Sequence, residues 1–329
     1  MSQQKTAVIL TNLGTPETNS VAAVKQFLKQ FLSDTRVVEI PRVIWWFILN
    51  LLILPFRSKT ALKAYNEIWT AEGSPLMVIS HKQQQALQKQ LGEKNHVELM
   101  MRYGEPSFDK VINGLLDNGY KKLIILPLYP QNSATTTATT FDHIAEVLAH
   151  RRNLPDIHFI SDYHGDPGYI HALAASIQEH WQQQKRQRFL LMSFHGLPQR
   201  NIDQGDPYYD QCTGTAHLLA TILGLTKEQW AMSFQSRFGK QLWIKPYTSE
   251  TLEIMAEKGL KEVDVICPGF SVDCLETLEE IQMQNRDIFM QHGGEQYRYI
   301  ACLNDRDDHI TMMADLVKPY LDSNFAEQQ

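Results

Sequence analysis

His195 stands in Ser193-Phe-His-Gly-Leu-Pro198, directly after an apolar run, with Gly196 and Pro198 closing a turn behind it. An imidazole held on such a turn can accept a proton near neutral pH or ligate a transition metal. The plainer alternative is a histidine that only hydrogen-bonds the end of a strand. A second stretch runs Cys267-Pro-Gly-Phe-Ser-Val-Asp-Cys-Leu-Glu-Thr-Leu-Glu-Glu280. Its Pro-Gly pair turns the chain, and a helix is predicted from near Ser271. Asp273, Glu276 and Glu280 then fall at i, i+3 and i+7 and share one helix face. Carboxylates with no basic residue between them repel one another. A solvated face tolerates that; a path for a cation or for protons exploits it. The first turn of a helix leaving a sheet rim points into the crevice, so this face is expected to look towards His195.

Two further stretches could line the same crevice. Leu128-Tyr-Pro-Gln-Asn-Ser-Ala-Thr-Thr-Thr-Ala-Thr-Thr140 offers hydroxyls and an amide without charge, or simply a capped helix start. Ser233-Phe-Gln-Ser-Arg-Phe-Gly239, with Trp243 and Pro246, makes a polar and aromatic rim suited to a flat ligand bearing acidic groups. No G-x-G-x-x-G, no phosphate-binding P-loop and no G-x-S-x-G elbow occur, so dinucleotide, nucleotide and hydrolase chemistry lack support. Ser193 lies two residues before His195 on the predicted strand, and is read as pointing away from it. The four cysteines have no zinc spacing and read as ordinary buried thiols.

The elements that must position these groups are written in short apolar runs. Ala7–Leu10, Leu123–Leu126, Phe189–Met192 and Val263–Ile266 are predicted as buried parallel strands. Helix-period stretches such as Ser80–Leu91 and Tyr169–Gln183 lie between them, which argues for an α/β doubly wound architecture. The chain also repeats itself. Leu10-Thr-Asn-Leu-Gly-Thr-Pro16 matches Met192-Ser-Phe-His-Gly-Leu-Pro198, with Leu13 where His195 stands. Met101-Arg-Tyr-Gly104 matches Ser236-Arg-Phe-Gly239, and Gly119–Leu126 matches Gly259–Ile266, in the same order. Two copies of one α/β unit are expected, 1–160 and 161–307, with a last helix within 308–329 packing back on the first. Ligands of such folds bind beyond the carboxyl ends of the strands, where every motif above falls.

The 329 residues are 43% hydrophobic and 21% charged, as in a soluble globular chain of about two domains. A net charge of −6 without any Lys/Arg run lacks the footprint of a nucleic-acid binder. The chain enters a strand-like stretch from its first residues, so no signal peptide is expected. Val43–Phe56, VIWWFILNLLILPF between Arg42 and Arg57, is fourteen residues long and is read as too short to span a bilayer. It suits either an interfacial lip or a buried core helix.

Taken together, SFHGLP, FQSRFG with Trp243, and CPGFSVDCLETLEE resemble the ferrochelatases in their bacterial form. LTNLGTPE, WTAEGSPL, MRYGEP and LYPQNSATTT support the resemblance, in order, over most of the chain. It implies an α/β fold of two similar Rossmann-like, chelatase-type domains, each a four-stranded parallel sheet flanked by helices. It implies insertion of ferrous iron into protoporphyrin IX, the terminal step of haem biosynthesis. By position, His195 and Glu276 match the family's iron-binding and proton-handling pair, and Asp273 and Glu280 the acidic residues leading away from it. Leu13, Arg57, Tyr65 and Ser236 fall where the family contacts the macrocycle or its propionates, Arg102 and Tyr103 match a pair near the site, and Trp243 belongs to the rim. Val43–Phe56 falls on the apolar lip. Fe²⁺ is then a substrate, and no permanently bound cofactor is expected. Nothing after Cys302 is a cysteine, so no iron–sulfur cluster is expected either. The partners are protoporphyrin IX, Fe²⁺ and a membrane surface bound peripherally, without nucleic acid, for a cytoplasmic protein at the inner face of the membrane. Other readings are a chelatase for another tetrapyrrole, which would need a more basic cleft, and a porphyrin or haem carrier, which needs no acidic helix.

Overall fold

The computed structural model describes residues 5–184, 189–239 and 241–321. Two parallel sheets organise it. The first contains β1 (Thr6–Gly14), β2 (His96–Tyr103), β3 (Lys122–Pro127) and β4 (Asp156–Phe159), in the order β2-β1-β3-β4. The second contains β5 (Phe189–His195), β6 (Trp230–Gln235), β7 (Glu262–Ile266) and β8 (Gln296–Ile300), in the order β6-β5-β7-β8. The two orders are the same, so the internal repeat of the sequence is a repeat of topology. The four apolar runs are β1, β3, β5 and β7, the inner strands of their sheets.

Alternation along each inner strand explains the layers. Ala7, Ile9, Leu123 and Ile125 face helices Phe108–Asp117 and Thr139–Leu148. Leu191, Val263 and Val265 face helices on the far side of the second sheet. The other faces share a single core: Val8, Leu10, Ile124 and Leu126 pack in one cluster with Leu190, Met192, Phe194 and Ile266. Helices Pro75–Leu91, Pro167–Gln184 and Tyr208–Ile222 contribute to it, as does Asp307–Leu321, which packs on the first two. Of the last helix expected within 308–329, residues 322–329 lie outside the described residues.

Both sheets end at one rim. Gly14 closes β1 at φ 102°, and a Cβ there would sit 1.8 Å from the Tyr103 carbonyl oxygen, so only glycine lets β1 and β2 converge. His195 closes β5 opposite Gln235 of β6. The chain after β3 and the chain after β7 both enter a π-helix, Ala134–Ala138 in the first half and Glu276–Asn285 in the second. π-turns of this kind are rare and cluster at functional sites.

The apolar segment departs from expectation. It belongs to one continuous helix of 27 residues, Arg42–Ile68, whose middle turns at Ile48–Ile53 are π-helical, so it is long enough to span a bilayer by length and composition. Only 22% of its most apolar window is buried. The tryptophan pair divides between the two readings. Trp45 is 6% exposed and donates its indole N–H to Leu32 O at 2.6 Å. Trp46 is 57% exposed and stacks edge-on with Phe47. Trp45, Leu49 and Leu54 form the inward face, while Val43, Ile44, Leu51, Leu52 and Phe56 form an outward apolar ridge.

Candidate active site

His195 is placed by three constraints. β5 carries it to the rim, its ring lies 6.4 Å from that of Phe270, and its Nδ1 is 2.6 Å from Gly196 O. A carbonyl oxygen only accepts, so Nδ1 carries a proton and Nε2 is the ring nitrogen left outside that bond. Gly196 has no room for a side chain: a Cβ would come within 2.7 Å of Gln235 O and 3.1 Å of the Trp243 ring. Trp243 is buried, bonds Phe238 O through its indole N–H at 2.8 Å, and so backs the histidine turn.

The carboxylate helix corrects the expected face. It begins at Glu276, not near Ser271, and Asp273 precedes it in the connecting loop. Asp273 is buried and accepts from Tyr299 Oη at 2.5 Å, Asn304 Nδ2 at 2.7 Å and Thr277 Oγ1 at 3.1 Å. Glu276 and Glu280 remain together. Burial is the main influence on Glu280 and pushes its carboxyl above the usual range, with the Glu276 charge adding to it. Hydrogen bonds from Ser236, and the electrostatic influence of His195, only partly offset this. Glu280 therefore feels both members of the expected pair. Gln235 ties the first turn down by donating to Glu276 O at 3.1 Å. The Cys274 thiol donates to Glu276 Oε2 at 3.1 Å, a neighbour the sequence reading passed over although it stands inside the quoted motif.

The expected macrocycle contacts divide. Tyr65, buried on the lip helix, has its phenol pushed far up by burial and by the Glu276 charge, which brings the helix up to the carboxylate. Leu13 is half-buried at the end of β1, the counterpart of His195. Arg57 is exposed and lays its guanidinium 4.0 Å from the Phe238 ring centre, linking the lip to the second half. Ser236 is committed inward: at φ 64° it aims its N–H at Glu280 Oε1, 2.7 Å away, and its hydroxyl at Oε2, 2.5 Å away. Arg102 and Tyr103 both turn to Asp34, at 2.5 and 2.9 Å, and Thr139 bonds both Arg102 and Asp34. Burial alone would raise Asp34; bonds from Thr139 and the Arg36 amide, the Arg102 charge and Tyr103 outweigh it and hold the carboxyl below its usual range. Asp34 was not foreseen, since nothing around it in sequence marks it. Ser193, two residues before His195, shares its face of β5 and does not point away as expected, since strand side chains alternate; it is fully buried and bonded to Gln235 and Thr248, which leaves it no freedom to act as a nucleophile. Among the described residues, the set of groups close enough to share a cation is a different one, Glu253, Glu257 and His292 near the surface, where His292 lies 3.3 Å from Glu253.

The family model for ferrochelatase matches residues 5–321. A ferrochelatase of Aeromonas hydrophila is 52% identical over 316 residues, covering 95% of this chain and 98% of its own. One from Cronobacter sakazakii is 50% identical, covering 97% and 100%. Among solved structures, SirB from Bacillus subtilis with Fe³⁺ aligns over 97% of this chain and 96% of its own at a TM-score of 0.57 and 12% identity. The cobalt complex of the sirohydrochlorin chelatase SirB from subspecies spizizenii aligns over 96% and 94%, at 0.52 and 10%. At such identities these share the fold alone. A histidine anchored through Nδ1, near a pair of carboxylates on the rim of a duplicated α/β fold, is thus accompanied by full-length likeness to one family: the chain belongs to the ferrochelatases and inserts iron into protoporphyrin in haem synthesis.

Proposed function

We propose that His195 and Glu276 carry the insertion step, and that Glu280 moves protons or metal behind them. Insertion must remove the pyrrole N–H protons and exchange the water shell of Fe²⁺ for ring nitrogens. The observation that carries this reading is the Nδ1–H bond to Gly196 O, which leaves His195 Nε2 able to take a pyrrole proton. Imidazole and carboxylate also suit ferrous iron, so the same pair can receive the metal before the ring does. A planar macrocycle hides its nitrogen lone pairs. Binding energy spread over a large apolar face can be used to bend it. Leu13, Tyr65, Trp243 and the lip are the surfaces proposed for that face, and Arg57 the cation for a propionate. Iron is substrate and protoporphyrin IX its acceptor; no resident cofactor is assigned.

The lip ridge is proposed to rest on a bilayer from the cytoplasmic side. Its inward face, Trp45, Leu49 and Leu54, is occupied by protein, which leaves one apolar face for lipid and supports lying on the membrane rather than crossing it. High salt or mild detergent then releases the protein from membranes; a fraction resistant to alkaline carbonate contradicts this. The catalytic assignment is tested by following Fe²⁺-dependent loss of porphyrin fluorescence in His195→Ala. Turnover above a few per cent of the parent's removes His195 from the reaction.

A further inference from the structure

Asp273 and Asn304 face one another in a two-point clasp. The Asp273 backbone N–H donates to Asn304 Oδ1 at 2.9 Å, and Asn304 Nδ2 donates to Asp273 Oδ2 at 2.7 Å. The amide can sit only this way round, because a backbone N–H only donates and a carboxylate only accepts. The other carboxylate oxygen accepts from Tyr299 Oη at 2.5 Å, Thr277 Oγ1 at 3.1 Å and the Cys302 N–H at 3.4 Å. The group is 6% exposed.

Asn304 is itself held from the other half of the molecule. It adopts φ 49°, the left-handed region that asparagine tolerates better than most residues. Its N–H bonds Ser271 O at 3.0 Å. Its carbonyl accepts from Gln83 Nε2 at 2.9 Å and His309 Nδ1 at 2.8 Å. Gln83 is fully buried on helix Pro75–Leu91, which packs on the first sheet, and reaches Ser271 Oγ as well, at 3.2 Å. The loop that launches the carboxylate helix is therefore fastened to the first half through Gln83, which holds both Ser271 and Asn304, and its Asp273 end lies three residues from Glu276.

We propose that Asn304 and Asp273 are positioning residues that set where Glu276 stands, and that Asp273 acts through these bonds and does not carry protons or metal. The proposal rests on the reading that Glu276 works in insertion. Asn304→Gly keeps the left-handed backbone and deletes the clasp. Asp273→Asn sets amide donors against donors. Each lowers kcat by about 10- to 100-fold, the penalty of a displaced catalytic group. Porphyrin KM stays within about twofold, since the macrocycle surfaces are untouched. The decisive variant is the exchange, Asp273→Asn with Asn304→Asp. The carboxylate now on the partner loop accepts both the backbone N–H and the new amide N–H, while the new amide oxygen accepts from Tyr299 and Thr277. Recovery to within about threefold of the parent kcat is the expected result, because both bonds of the clasp are restored. An exchange variant as slow as Asp273→Asn alone, or one that fails to fold, overturns the proposal and returns Asp273 to a relay. A parent protein that inserts no Fe²⁺ fails the underlying reading instead, before any variant is compared.

Discussion

At the scale of single residues, the duties proposed for Glu276 and Glu280 are separable. Glu276→Gln keeps the shape and removes the charge next to Cys274 and Tyr65, so turnover falls sharply with little change in porphyrin affinity. Glu280→Gln is milder, because water substitutes in a relay more readily than at the reacting centre. Steady-state kinetics with saturating Fe²⁺ checks both, and a normal Glu276→Gln refutes the role. Glu280 also leaves a mark on stability. Its folded pKa lies above 4.5, so the native state holds a proton that the unfolded chain has already lost. Stability therefore falls as pH rises from about 4.5 through the raised value, and stays lowered above it. Glu280→Gln removes that penalty. Its Tm gain over the parent is expected at pH 7 and expected to vanish near pH 4.

At the scale of elements, the lip helix offers a matched pair of substitutions. Trp45→Ala empties a packed site and breaks the bond to Leu32 O, costing about 3–5 kcal/mol. Trp46→Ala, on the exposed ridge, changes stability by no more than about 0.5 kcal/mol and weakens binding to anionic vesicles. Equal Tm losses in the two variants contradict this division. The neighbouring tryptophans show what a linear reading cannot resolve: composition marks the stretch as apolar, but only packing says which ring is inside. The strands divide similarly. Inner strands are buried on both faces and read as apolar runs, broken in β7 by Asp264, which is buried and bonded to Trp181 and Arg298, whereas β2, β4, β6 and β8 are edges with polar residues such as His96, Glu98, Asp156 and Arg298 and carry no such signal. His195 and Glu276 were legible because they stand in contiguous motifs. Asp34, Gln235 and Asn304 were not, because their partners lie tens to hundreds of residues away. The helix face failed at Asp273 because the helix starts later and in π geometry.

At the scale of the whole molecule, one core serves both sheets. Heat is expected to unfold the chain in a single cooperative step, since neither half can expose its share of that cluster alone. Two resolved calorimetric transitions contradict this. Acid sensitivity has an identifiable contributor. His309 is fully buried between the clasp and Asp308, and burial lowers its pKa to about 4. The unfolded chain takes up a proton below about 6.5 that the fold refuses, so stability drops as pH falls from there to about 4, by an amount on the order of 3 kcal/mol. His309→Gln flattens that limb of the pH–stability curve.

The shared core has a mechanical corollary. Jaws that turn on a hinge need a flexible join behind them, and here the join is packed side chains from both sheets and from the helices between them. The rim cleft therefore has a fixed gape. Whatever admits a flat disc and later lets a heavier one go has to be the movable trim of the mouth, the lip helix Arg42–Ile68. Spin labels on Thr18 in the first half and Gln204 in the second should keep their separation when porphyrin is added, while a label on Leu51 should change its distance to both.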